Sequence, residues 1–243
     1  GILLFTPNLG FKDFPIKEKI EKEFGVPMLL ENDVNAGTYG EFMAGAARGF
    51  RHVVGVFPGT GIGGGLIING RLFVGGSGNA GEIGHMIIQV EGPLCGCGHY
   101  GCLEALASRT AMAKDAVSIA GSGKPTSAYA KAGTDVKKYK SSVFKLGLKE
   151  EDPYLTEIID RSAYFLGIGI ANCIHILNPE VVVIGGGLVE KLGDYYMNEV
   201  EKSMRKHTLP QLLSEVKLLK AVLGDDAAVI GAAGIYQELT GSR

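Results

Sequence analysis

The second half of the chain alternates helical and extended patterns in an order that few architectures accommodate. Leu155, Ile159, Leu166, Ile170 and Leu177 recur at helical spacing, and Pro179 is followed by "VVVIGGG", an apolar strand running into three glycines. A helix from Leu188 to about His207, a strand from Glu215 to Leu223 and a helix from Asp225 to Leu239 complete the series. Strands separated by helices belong to one sheet whose faces the helices cover, so the predicted fold class is α/β.

The first half supplies further elements. Ile16, Ile20 and Phe24 recur every four residues and Gly25 follows, which predicts a short amphipathic helix with a glycine stop. "VPMLL", residues 26–30, reads as a buried strand. Asp33 is placed to cap a helix to about Ala47, whose Ala36, Gly37, Gly40, Ala44 and Ala47 are small enough for close backbone packing. His52 to Phe57, Gly65 to Ile68 and Leu72 to Val74, with the Asn69-Gly70 hairpin signal, predict a three-stranded antiparallel meander. Leu103 to Ala120 reads as a helix, and the more polar Gly121 to Asp152 as a surface insertion.

With 243 residues, 46% of them hydrophobic, the chain can fill one large core or two small ones. A net charge of −2, with both signs mixed along the chain, gives no electrostatic reason to expect nucleic acid or an anionic membrane as partner. No apolar run approaches the roughly 20 residues of a membrane span, and "GILLFTPNLGF" lacks the features of a signal peptide. The expected location is the cytoplasm, where closely spaced cysteines serve metals or redox chemistry more than disulfides.

Three of the four cysteines fall in "CGCGHYGC", Cys95 to Cys102, with Gly96, Gly98 and Gly101 allowing sharp turns between them. Thiolates at 95, 97 and 102 suit a closed tetrahedral zinc site, which needs one further ligand. His85 and His99 both compete for that place. Cys173 instead falls on the apolar stripe of the long helix, where core packing is its expected role.

Of the 37 glycines, several sit in loops where backbone can approach a ligand. "PGTGIGGG", residues 58–65, lies between two strands and offers N–H groups to phosphate oxygens, although no Gly-Lys-Ser/Thr follows and a tight β-turn explains it as well. Gly185, Gly186 and Gly187 end a strand and open a helix. Asp33 follows an apolar segment, at a position where α/β sheets build active sites, and a carboxylate there serves as a general base or as a plain helix cap. Asn32, Glu82 and Glu104 are acceptor and amide groups of the kind that sugar hydroxyls require, although a solvated carboxylate at a helix start explains Glu104 alone more simply.

The order "LENDVNAGTYGE", "GTGIGGGLIINGRLFVGGSGNAGEIGH", "CGCGHYGCLEALAS", "VVVIGGGL" and "GDDAAVIGAA" resembles the ROK family of bacterial sugar kinases and repressors over nearly the whole chain. The resemblance implies an actin/hexokinase-like, ribonuclease H-like fold of two α/β domains closing over a cleft. It implies Asp33 as catalytic base, Asn32, Glu82, His85 and Glu104 as sugar contacts, and His85, Cys95, Cys97 and Cys102 as zinc ligands. Gly59, Thr60 and Gly61, with Gly185 to Gly187, would hold ATP, which comes with Mg2+.

The family's opening Asp-x-Gly-Gly-Thr turn has no counterpart in this sequence, so the first domain is expected to be incomplete. The expected division is 1–32 as a remainder of the smaller N-terminal domain, 33–223 as a larger α/β domain with the zinc site, and 224–243 as a C-terminal helix packing back toward the first. The implied activity is phosphoryl transfer from ATP to a hexose, glucose before an N-acetylhexosamine. The alternative is the body of a sugar-responsive repressor, for which alone nucleic acid would be a partner. Family habit implies a homo-oligomer, dimer or tetramer.

Overall fold

The computed structural model of the chain describes residues 1–6, 10–124 and 126–241, so Pro7 to Leu9 of the "TPNLGF" stretch lie outside the described residues. In chain order the strands are β1 (Leu3–Thr6), β2 (Phe11–Phe14), β3 (Val53–Pro58), β4 (Ile62–Ile68), β5 (Arg71–Leu72), β6 (Val181–Ile184) and β7 (Lys217–Lys220). The α-helices are α1 (Ile16–Phe24), α2 (Asp33–Ala44), α3 (Leu103–Ala107), α4 (Arg109–Gly121), α5 (Tyr129–Ala132), α6 (Ser141–Lys149), α7 (Pro153–Leu177), α8 (Gly186–His207), α9 (Pro210–Leu213) and α10 (Asp226–Thr240).

The central sheet has the order β5-β4-β3-β6-β7. β3 and β4 pair antiparallel from Val53↔Ile67 to Pro58↔Ile62, whereas β6 runs parallel to both β3 and β7. The hairpin from β4 to β5 turns at Asn69 and Gly70, with φ of 56° and 77°, the double left-handed turn that an Asn-Gly pair signals. Because β6 is interior and parallel, both of its faces are covered, and all of "VVVI" is buried.

Helices cover the sheet on both sides. On one face, Val54, Val56, Leu66, Val182 and Ile184 pack with residues of α3, α4, α6, α7 and α8. On the other, Val53, Ile67, Val181 and Val183 meet Ala36 and Tyr39 of α2 and Ile235 of α10. The apolar stripe of α7 is in place, with Leu155, Ile159, Leu166 and Ile170 all fully buried and Cys173 only 4% exposed.

The small residues of α2 act as expected. A Cβ built on Gly40 would fall on the Ala227 carbonyl, and one on Gly231 would fall on the Ala36 carbonyl, so α2 and α10 touch backbone to backbone. Gly231→Val is therefore expected to destabilise by about 1–3 kcal/mol through overpacking, lowering Tm by about 2–4 °C per kcal/mol. An unchanged thermal midpoint would mean that α10 can be displaced freely.

Four expectations are corrected. "VPMLL" forms no strand: among the described residues no strand pairs with it, and Leu29 and Leu30 are 42% and 41% exposed. The cap of α2 is Asn32, not Asp33; its Oδ1 accepts from the N–H groups of Val34 (2.8 Å) and Asn35 (3.1 Å). Helix 103–120 breaks at Ser108, which leaves helical geometry and caps α4 by accepting from Ala111 N at 3.1 Å. Residues 121–152 are no surface insertion, because Ala128, Ala132, Tyr139 and Phe144 are buried in the main core.

Candidate functional site

The chain ends of the parallel strands converge. β3 finishes at Pro58 beside the start of α8, where Gly185 N donates to Val56 O at 3.0 Å. Gly186 has a φ of 80°, and a Cβ there would press on the Pro58 carbonyl, so glycine is needed for the two glycine loops to adjoin. α8 begins at Gly186, and its opening N–H groups lack intrahelical acceptors, as at any helix start.

Two cavities flank the start of α2. One of about 360 Å3 is lined by Asp33, Gly185, Gly186, Gly187, Lys220 and Asp225 among others. The other, of about 90 Å3, is lined by Asn32, Asn35, Gly63, Asn79 and Glu82 among others. Val34 borders both, so Asp33 and Asn32 stand at their junction.

The junction is braced by residues that sequence reasoning missed. Glu31 Oε1 accepts from Asn32 N at 2.9 Å and from the buried side-chain amide of Asn35 at 2.8 Å. Glu41, wholly buried, accepts through Oε1 from Val222 N (2.9 Å) and Leu223 N (2.8 Å) and through Oε2 from Ala46 N (2.8 Å). Three N–H donors satisfy a carboxylate that burial would otherwise penalise. A lone glutamate among the small residues of "AGTYGE" was the available signal. Asp33 itself is exposed, and its Oδ1 accepts from Val34 N at 3.0 Å.

The cysteine cluster assembles with His85 rather than His99. Ligand atoms of His85, Cys95, Cys97 and Cys102 lie within 4.8 Å of one another. Cys97 Sγ is 3.7 Å from Cys102 Sγ, and Cys95 Sγ is 3.8 Å from His85 Nδ1. A tetrahedron with metal–sulfur bonds of about 2.3 Å has edges of about 3.8 Å, so these two separations match a tetrahedral ion. Among the described residues His99 Nδ1 reaches only Cys97 Sγ, at 3.6 Å. Hydrogen bonds from the His99 backbone and ring pull the exposed Cys97 thiol down to about 6, while burial pushes Cys102 up to about 12.

Glu82 links this cluster to the smaller cavity, and Glu104 links it to the start of β4. Glu82 Oε2 lies 3.9 Å from His85 Nε2, the nitrogen turned away from the thiols. Glu104, in the first turn of α3, places Oε1 3.8 Å from Cys95 Sγ, while Oε2 accepts from Ile62 N at 3.0 Å. The cysteine cluster, Glu104 and the Gly59–Gly61 turn are thus neighbours.

The ROK family's sequence pattern matches residues 1–238. The chain belongs to the ROK family. Its fold is the actin/hexokinase-like one of the solved ROK sugar kinases. The structure of a ROK family glucokinase from Streptomyces griseus, in complex with glucose and AMPPNP, aligns with a TM-score of 0.85 at 31% identity, covering 97% of this chain and 76% of that one. A glucokinase of Halalkalibacterium halodurans is 36% identical over 98% of this chain and 72% of its own length. A xylose repressor of Bacillus spizizenii is 33% identical over 97% of this chain, but this covers only 57% of the repressor. Among the described residues no helix is long and apolar enough to cross a membrane.

Proposed function

We propose that this ROK chain is the body of an ATP-dependent sugar kinase, moving the γ-phosphoryl group to a hexose hydroxyl, glucose first and an N-acetylhexosamine next. The observation that carries this reading is the placement of Asn32 and Asp33 on one helix start between a larger and a smaller cavity. A transfer between two substrates needs its proton acceptor at such a boundary.

The sugar occupies the smaller cavity, whose wall includes Asn32 and Glu82, and extends from it to His85 and Glu104. Asp33 takes the hydroxyl proton as the oxygen approaches phosphorus, a step worth roughly 10² to 10⁴ in rate. The N–H groups of the Gly59, Thr60 and Gly61 turn, and of Gly185, Gly186 and Gly187 at the start of α8, receive the phosphates of Mg-ATP. Catalysis is then mostly positioning and charge stabilisation. His85, Cys95, Cys97 and Cys102 would hold a zinc ion, which would brace the sugar-side wall.

Similarity to glucokinases supports the kinase reading, and the repressor relative supports the second, a sugar sensor whose output is a change of shape. The deciding experiment is ADP formation by the full-length protein with Mg-ATP and a panel of hexoses. ADP with one sugar is expected. Sugar binding without ADP, together with DNA binding, would replace the kinase by the sensor.

A further inference from the structure

The Gly59–Gly61 turn is held from the junction of α3 and α4. Arg109 N donates to Gly59 O at 2.9 Å, Thr110 Oγ1 donates to Thr60 O at 2.7 Å, and Glu104 receives Ile62 N as above. A fourth contact differs in kind, because the Arg109 guanidinium donates through Nη2 to Thr60 Oγ1. A threonine hydroxyl has one proton and two lone pairs, so with a lone pair taken by Arg109 its proton is directed elsewhere.

Among the described residues nothing receives that proton, and the N–H groups of Thr60 and Gly61 also lack acceptors. Nor does any described carboxylate pair with Arg109. One turn therefore presents a hydroxyl proton, two amide N–H groups and a guanidinium that no described carboxylate pairs, with the Glu104 carboxylate, which lies against Gly61, engaged by Ile62 N. Several convergent donors around one positive charge match the oxygens of a phosphate group, and the planar guanidinium fork suits that geometry better than an ammonium.

We propose that Arg109 is a phosphate-binding residue, completing with Thr60 and the turn a site for the terminal phosphate of a nucleoside triphosphate. This rests on the phosphotransferase reading. A merely structural Arg109 would brace the turn for every ligand alike, whereas a terminal-phosphate contact distinguishes triphosphate from diphosphate.

The test is calorimetric binding of Mg-AMPPNP and Mg-ADP to the full-length protein, its R109M and R109K variants, with thermal midpoints and sugar affinity measured alongside. R109M is expected to weaken Mg-AMPPNP about tenfold or more, the scale of a lost charge-assisted hydrogen bond. Mg-ADP affinity, sugar affinity and Tm should change far less, and R109K should recover part of the loss. Should R109M melt early, R109K alone decides, with a smaller loss confined to the triphosphate. Equal losses for both nucleotides, or none, overturn the assignment. If the parent protein binds neither nucleotide, the phosphotransferase reading falls together with it.

Discussion

Asp33→Asn is expected to lower kcat for sugar phosphorylation by roughly 10² to 10⁴, the range that a positioned general base supplies, while sugar affinity and Tm stay near those of the parent. Asparagine has nearly the volume of aspartate and keeps an Oδ1 able to accept from Val34 N, as Asp33 does at 3.0 Å. The helix start does not depend on the exchanged group, because its cap is Asn32. What asparagine lacks is a carboxylate to take the hydroxyl proton. A fall in kcat with unchanged sugar binding marks an interaction made only in the transition state. Parent-like turnover in this variant would remove Asp33 from the base role and leave it a helix-start residue.

Separating base from cap in this way became possible only with the structure. From the residues alone, Asp33 fits both roles; the backbone shows that its neighbour fills one of them. The brace behind the pair was not legible, because Glu31 and Asn35 act through hydrogen bonds that periodicity does not reveal. Glu41 grips amides 181 and 182 residues away in sequence. Arg109 was invisible for the same reason, since its partner Thr60 lies across a β-hairpin and a helix start. The cysteine cluster, by contrast, announced itself through spacing, although the choice between His85 and His99 needed three dimensions.

The fold was most legible where burial and period agree. β6 and α7 carry long apolar patterns that burial on both faces of a strand, or along one stripe of a helix, enforces. Reading failed where a local signal needed a distant decision. Ser108 is a competent cap, but only the packing of α3 against α7 and of α4 beside it fixes the break there. In residues 121–152 the charges mask Tyr139 and Phe144, both at most 1% exposed, as anchors in the main core. "VPMLL" has strand composition, but a strand requires a partner to take its backbone hydrogen bonds.

Cys97→Ser distinguishes a metal-braced cluster from packed thiols, because Cys97 is exposed and its exchange disturbs no core contact. If the cluster were held by packing alone, the substitution would fall within the usual ±0.5 kcal/mol of surface changes. The segment between His85 and Cys102 is tied by backbone hydrogen bonds such as Cys95 N to His99 O at 2.8 Å and Gly101 N to Pro93 O at 2.9 Å, and Met86 and Ile88 rest on the main core, but many of its apolar side chains are not covered. Ile87, Val90, Leu94 and Tyr100 are 59%, 83%, 55% and 60% exposed, and its extended pairings are the single bridges Ile87↔Cys102 and Leu94↔Tyr100. A metal held by the cluster would add to that support, and losing a thiolate ligand is then expected to cost several kcal/mol. At about 2–4 °C per kcal/mol for a chain of this size, Tm should fall by about 10 °C. The same loss should weaken sugar binding, because His85 is aligned by the cluster on one side and by Glu82 on the other. Elemental analysis of the full-length protein should find one zinc per chain, absent from C97S, and a chelator should reproduce the lowered midpoint in the parent. A parent that carries no zinc and melts identically with and without chelator would leave the three thiols as small packing residues.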